Sequence, residues 1–186
     1  PASRFSVGTV EFGGTADEKA SAELFAAGRG VGINFFDTAY IYTEGRSEEI
    51  YGTLIRDCVN DVITATKICQ HLPSTAEVIQ ESFDTSRRRL GTDHVDMLYL
   101  HRFDDTTPLE ETLEALVKLK SDGLIRYIGV SNFSAWQIVK ANCIAKALGS
   151  EIDVCQPMYN LVKRQAEVEI FPACVDQDIA VCTYSP

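Results

Sequence analysis

The six cysteines, Cys58, Cys69, Cys143, Cys155, Cys174 and Cys182, include no CxxC pair and have no histidine nearby at zinc-ligand spacing. No metal site is expected, and the thiols read as reduced and buried. Positive charge is scarce as well: 17 Lys and Arg stand against 27 Asp and Glu, a formal net charge of -10 that repels phosphate backbones and anionic lipid. Nucleic-acid and membrane partners are therefore not expected. The one basic cluster, Arg87-Arg88-Arg89, reads as a solvated helix end where cations complement the dipole. No apolar run approaches the roughly 20 residues of a membrane span. The opening PASRFSVGTV lacks a charged-then-apolar leader, which makes the cytoplasm the simplest location. No linker or low-complexity stretch interrupts the 186 residues, so one domain over 1–186 is expected. A missing initiator Met and the end at CTYSP suggest a chain shorter than its natural protein.

What is present is a repeat. Apolar, β-branched runs recur about every 30 residues, at 5–10, 33–37, 62–67, 95–101, 126–131, 154–158 and 179–184, with amphipathic helical segments between them. The runs are mostly continuous rather than alternating, as in parallel strands covered on both faces. Helix starts are predicted at four Ser/Thr-x-x-Glu/Gln boxes, Thr15/Glu18, Ser74/Glu77, Thr107/Glu110 and Ser134/Gln137. Pro108 suits a first helical position, and Gly91 and Gly123 suit positions just past helix ends. Trp136 reads as a packing residue early in the helix after Ser134, and Cys155 and Cys182 as small strand residues filling the interior. His71 and His94 need no special role.

Parallel strands joined by right-handed crossovers leave an open doubly wound sheet or a closed barrel. The G-x-G-x-x-G of an open dinucleotide fold is absent, since Val7-Gly8-Thr9-Val10 leads into Glu11-Phe12-Gly13-Gly14-Thr15. Polar residues end most strands instead: Asp37, Lys67, His101, Ser131-Asn132, Gln156 and Tyr184. That distribution favours a parallel (β/α)8 TIM-type barrel, of which this chain covers about seven strands and lacks the last βα unit, a complete barrel taking about 250 residues.

In such a barrel Asp37, Lys67 and His101 end successive strands and should converge with a tyrosine from the loop beginning at Ala39, either Tyr40 or Tyr42. A phenol of ordinary pKa, about 10, is a poor acid at neutral pH, and a neighbouring ammonium lowers it. Lys67 can supply the ammonium, Asp37 its counter-charge, and His101 a proton path or a hold on a substrate oxygen. Together they would make an acid able to protonate a developing alkoxide.

The segments GINFFDTAYIY, GRSEEIYG, ITATK, LGTDHVDMLYLHR, GLIRYIGVSNF and QPMYN, in this order, resemble the successive motifs of the aldo-keto reductase superfamily over nearly the whole chain. The resemblance implies hydride transfer from a nicotinamide dinucleotide to an aldehyde or ketone, with Tyr42 as general acid assisted by Lys67, Asp37 and His101. The family spacing, five residues from aspartate to phenol, is what selects Tyr42 over Tyr40. It further implies that Ser131, Asn132 and Gln156 hold the nicotinamide amide, that Tyr184 stacks on the ring, and that Gly8, Thr9 and Asp37 also approach the cofactor. NADP(H) is the cofactor the resemblance favours, although the segments that would distinguish it from NADH, after strands seven and eight, are not in this sequence. The implied partner is a small carbonyl compound, with Phe12 and Trp136 insufficient to define it. Two other readings stay open: a regulatory subunit of the kind found with potassium channels, and an inactive fragment.

Overall fold

The computed structural model describes residues 1–185. Each apolar run yields a strand, most of them trimmed at the ends, with β3 shifted by one residue and β5 starting one residue earlier: β1 (Ser6–Gly8), β2 (Phe35–Asp37), β3 (Ile63–Ile68), β4 (Val95–Leu100), β5 (Ile125–Ser131), β6 (Val154–Gln156) and β7 (Ala180–Val181). The intervening segments form α1 (Glu18–Gly30), α2 (Arg46–Ile55), α3 (Ala76–Leu90), α4 (Leu109–Ser121), α5 (Ala135–Ala147) and α6 (Ile170–Gln177). Strand order follows chain order from β1 to β7. The pairing is parallel, in register Gly8 with Asp37, Asp37 with Ala65, Ser131 with Gln156, and Cys155 with Val181. This is the winding of a (β/α)8 barrel, with seven of its strands in this chain.

Contacts divide the chain into two compact units, the first formed by Pro1–Ile68 and Glu81–Leu98, the second by Cys69–Gln80 and the chain from Tyr99 onward. In the first, Phe36 packs against Phe25 and Tyr51, with ring centroids 4.7 and 5.5 Å apart. Burial pushes the Tyr51 phenol well above its ordinary pKa, and the neutral hydroxyl shares a 3.0 Å hydrogen bond with Thr64. Gly52 lets α2 reach the end of α3, since a Cβ there would stand 2.6 Å from the Leu90 carbonyl oxygen.

In the second unit, Leu113, Leu116, Ile128, Val130 and Ile138 are fully buried. Gly129 lies under the Tyr99 ring, 2.3 Å from where its Cβ would be. Asn142, also fully buried, accepts the Ile152 backbone N–H at 2.9 Å and donates to Gln177.

Three of the four expected helix starts use other groups. Asp17 caps α1, accepting from Ala20 N at 2.8 Å, while the Thr15 hydroxyl donates to Glu11. At α3 the Thr75 hydroxyl accepts from Val78 N, and Ser74 N donates to Asp104 instead. Pro108 sits at the N-cap of α4 rather than inside it, and the Thr107 hydroxyl donates to Asp104. Only α5 keeps its box, with Gln137 Oε1 accepting from Ser134 N at 2.8 Å. At α1 and α4 a nearby carboxylate, the stronger acceptor, takes the donor, whereas at α3 the adjacent Thr75 hydroxyl replaces Ser74.

Other expectations also give way. Trp136 packs edge-on against Phe103, but at the surface, where it stays 60% exposed. Cys182 is half-buried and beyond the end of β7, and Cys143 is exposed, whereas Cys69, Cys155 and Cys174 are buried. The arginine triplet ends α3, but Arg89 is largely withdrawn from solvent and ion-paired. Among the described residues no helix is long and apolar enough to cross a membrane.

Candidate active site

Asp37 is the last residue of β2 and Lys67 the last but one of β3. Their strands are hydrogen-bonded neighbours, so both side chains share one sheet end. Lys67, 1% exposed, donates to Asp37 Oδ2 at 2.7 Å, to the Thr38 carbonyl at 2.8 Å and to the Tyr42 hydroxyl at 3.3 Å. Its ammonium is 4.9 Å from the centre of the Tyr42 ring. Burial by itself would lower the lysine pKa, but the Asp37 charge, together with Tyr42, outweighs it and raises the pKa above its ordinary value. The ammonium is therefore retained in a place nearly without water.

Tyr42 opens a tight turn, Tyr42–Gly45, in which Thr43, Glu44 and Gly45 all have left-handed backbone, with φ of 47, 57 and 94°. Tyr40 is occupied otherwise. Its N–H donates to the Lys67 carbonyl, its carbonyl accepts from Arg89, and its ring lies 4.7 Å from the Arg89 guanidinium carbon. Of the two tyrosines, Tyr42 is the one whose hydroxyl meets Lys67.

Gly8 and Thr9 lie at the end of β1, beside Asp37. Thr9 is fully buried, and its hydroxyl shares a 2.8 Å hydrogen bond with Ser47, which also bonds Thr38 and donates to the Thr9 carbonyl. The Thr9 side chain thus belongs to the packing beneath Asp37, whereas Gly8 has open space where a Cβ would stand.

The second unit gathers the remaining expected residues. His101 directly follows β4 and is buried, and its carbonyl accepts from Asn132 Nδ2 at 2.9 Å. Asn132, at φ 58°, also donates to Ser131 Oγ at 3.1 Å and accepts from the Tyr184 hydroxyl at 2.6 Å. Ser131 in turn donates to the Gln156 carbonyl at 2.9 Å. Asn132 thereby ties together the ends of β4 and β5 and the segment after β7. The side chains of Ser131, Asn132 and Gln156 are neutral hydroxyl and amide groups, which offer both donors and acceptors as a carboxamide requires.

The sequence matches the aldo/keto reductase family over residues 4–186. The chain belongs to that family. Among curated relatives of this reductase family, it is 37% identical over 190 residues to a probable voltage-gated potassium channel subunit beta of Oryza sativa, covering 95% of this chain and 57% of the relative. It is 32% identical to aflatoxin B1 aldehyde reductase member 2 of Rattus norvegicus, over 97% of this chain and 51% of that protein. The chain thus spans little more than half the length of these relatives. The aldo-keto reductase AKR11C1 of Bacillus halodurans, solved in its holo form, superposes with a TM-score of 0.83 at 29% identity, over 98% of this chain and 61% of its own.

In this family member's first unit Glu48 escaped the sequence reading, and Arg89 entered it only as part of a solvated basic helix end. Glu48 is completely buried on α2 and paired with Arg89. The available signal was positional: Glu48 falls on the same helix face as Ser47, Tyr51 and Ile55, whereas its neighbour Glu49 faces outward.

Proposed function

We propose that this protein is an NADP(H)-dependent oxidoreductase that reduces aldehydes or ketones to alcohols, with Tyr42 as general acid. The observation that carries the reading is the buried ammonium of Lys67 held between Asp37 and the Tyr42 hydroxyl, at 2.7 and 3.3 Å. A phenol that gives up its proton to a developing alkoxide becomes a phenolate, and a fixed cation stabilises that anion most strongly where water is excluded. Asp37 keeps Lys67 charged. His101 shares the proton path or fixes the substrate oxygen.

Gly8, Thr9, Asp37, Ser131, Asn132, Gln156 and Tyr184 are proposed to hold the cofactor. When bound, a nicotinamide supplies the hydride. Ser131, Asn132 and Gln156 present polar groups suited to its carboxamide, and the hydrogen bonds around Asn132 hold that set in place before binding. Gly8 offers bare backbone to the dinucleotide. The reading includes a cytoplasmic location and a small carbonyl compound as substrate.

NADPH oxidation at 340 nm with 4-nitrobenzaldehyde tests it. Tyr42→Phe should lose about 10²- to 10⁴-fold in turnover while still binding NADPH. Undiminished turnover in the variant would remove Tyr42 from the mechanism. A second reading, a regulatory subunit in which cofactor binding matters more than turnover, is favoured by the similarity to the rice channel subunit. Tight NADPH binding with no turnover across an aldehyde panel would select it.

A further inference from the structure

Glu48 takes no part in the reaction proposed above, yet its carboxylate is wholly removed from water. Such a charge persists only with partners, and Glu48 has two: the Thr66 hydroxyl donates to it at 2.6 Å and Arg89 Nη1 at 3.1 Å. The same Arg89 nitrogen donates to the Tyr40 carbonyl at 2.9 Å, and the guanidinium covers the Tyr40 ring. On its other side Tyr40 is fastened to β3, its N–H donating to the Lys67 carbonyl at 2.9 Å. The chain entering the Tyr42 turn is thereby gripped from both directions.

The turn needs that grip. Two consecutive non-glycine residues, Thr43 and Glu44, adopt left-handed backbone, which L residues hold only where the surroundings over-determine them. Thr43 adds one tie, its hydroxyl donating to the Phe12 carbonyl at 2.7 Å. Gly45 supplies the third left-handed residue and makes room for the clamp, since a Cβ there would stand 2.2 Å from Arg89 Cζ. Relaxation of this turn would move its first residue, Tyr42, away from Lys67.

We propose that Glu48 and Arg89 are positioning residues for Tyr42: the buried ion pair holds the Tyr40–Gly45 segment in its strained form and so keeps the phenol at the Lys67 ammonium. Glu48 acts through Arg89, and Arg89 through the Tyr40 backbone. Neither touches substrate. The kinetic consequence rests on the reductase reading, whereas the mechanical one does not.

The test combines kinetics with local proteolysis. The double variant Glu48→Gln with Arg89→Met withdraws both charges together and strands neither. Its kcat for aldehyde reduction should fall about 10- to 100-fold with the NADPH Kd unchanged, the signature of a misplaced acid. Trypsin should cut after Arg46, the residue that follows the turn, about tenfold faster, with cleavage after the exposed Arg164 of the second unit unaltered. Wild-type kcat together with wild-type cleavage at Arg46 in the folded double variant would overturn the proposal. If the unmodified protein reduces no aldehyde, the reductase reading fails alone and the Arg46 cleavage rate decides the clamp. If the double variant does not fold, Thr66→Val decides in its place. It withdraws one hydrogen bond from Glu48 and no charge, and it should shift both readouts in the same direction by a smaller factor.

Discussion

Lys67 and Asp37 form an ion pair at 2.7 Å in which the lysine side chain is 1% and the aspartate side chain 10% exposed. A pair this dry depends on both members, because either charge alone would stand in a medium that cannot solvate it. Asp37→Asn should destabilise the protein by about 3–5 kcal/mol at neutral pH, measured by urea unfolding. The pH dependence should also change sign. In the wild type the Lys67 pKa is raised in the folded state, so its contribution is complete below the ordinary lysine value of 10.5 and is lost as pH rises through the folded value. In Asp37→Asn the largest influence, burial, is opposed only by Tyr42 and should depress that pKa, so stability should climb with pH up to about 10.5. A variant whose stability still falls on the alkaline side would show that Asp37 is not the charge holding Lys67.

Two glycines at strand and helix should respond in opposite ways. Gly52→Ala places a methyl against the backbone of Leu90, which cannot swing aside, and should cost about 1–3 kcal/mol in chemical denaturation. Gly8→Ala meets nothing within 4 Å and should leave stability within about 0.5 kcal/mol. If Gly8 presents its backbone to a dinucleotide, the same variant should weaken NADPH binding, as read by fluorescence titration. Unaltered affinity would remove Gly8 from the cofactor contacts.

Asp104 organises the segment before α4. Its carboxylate accepts from Ser74 N, from Thr106 N and hydroxyl, and from the Thr107 hydroxyl, at 2.6 to 2.9 Å. Burial works against ionisation, but these hydrogen bonds outweigh it and hold the carboxyl well below the ordinary carboxylate range. A depressed pKa contributes stability that is present above the unfolded value, 3.8, and is lost as pH falls through the folded one. Unfolding midpoints measured from about pH 5 to about pH 2 should fall for the wild type and vary less for Asp104→Asn. Equal slopes for the two proteins would assign the acid sensitivity to other carboxylates.

The sequence by itself determined the succession of strands and helices. Period and apolar continuity are local properties, and a parallel βα repeat has few ways to wind. Asp37, Lys67 and His101 were legible as strand-end residues for the same reason. The capping groups of α1, α3 and α4 were not: Asp17 caps α1, the Thr75 hydroxyl stands in for Ser74, and the Asp104 carboxylate takes the Thr107 hydroxyl. Trp136 shows the same limit from the other side, since an aromatic early in a helix does not reveal whether that face is covered. Strand ends alone left Tyr40 and Tyr42 both open, and the family spacing pointed to Tyr42; the tertiary structure gives the physical reason that Tyr42 meets the lysine. That choice depends on three left-handed residues in succession and on Arg89, 49 positions after Tyr40, taking up the other tyrosine. Glu48 and Arg89, 41 positions apart, carry no local signature of their pairing. A buried charge is stabilised by whichever opposite charge folding brings beside it, and separation along the chain does not encode that distance.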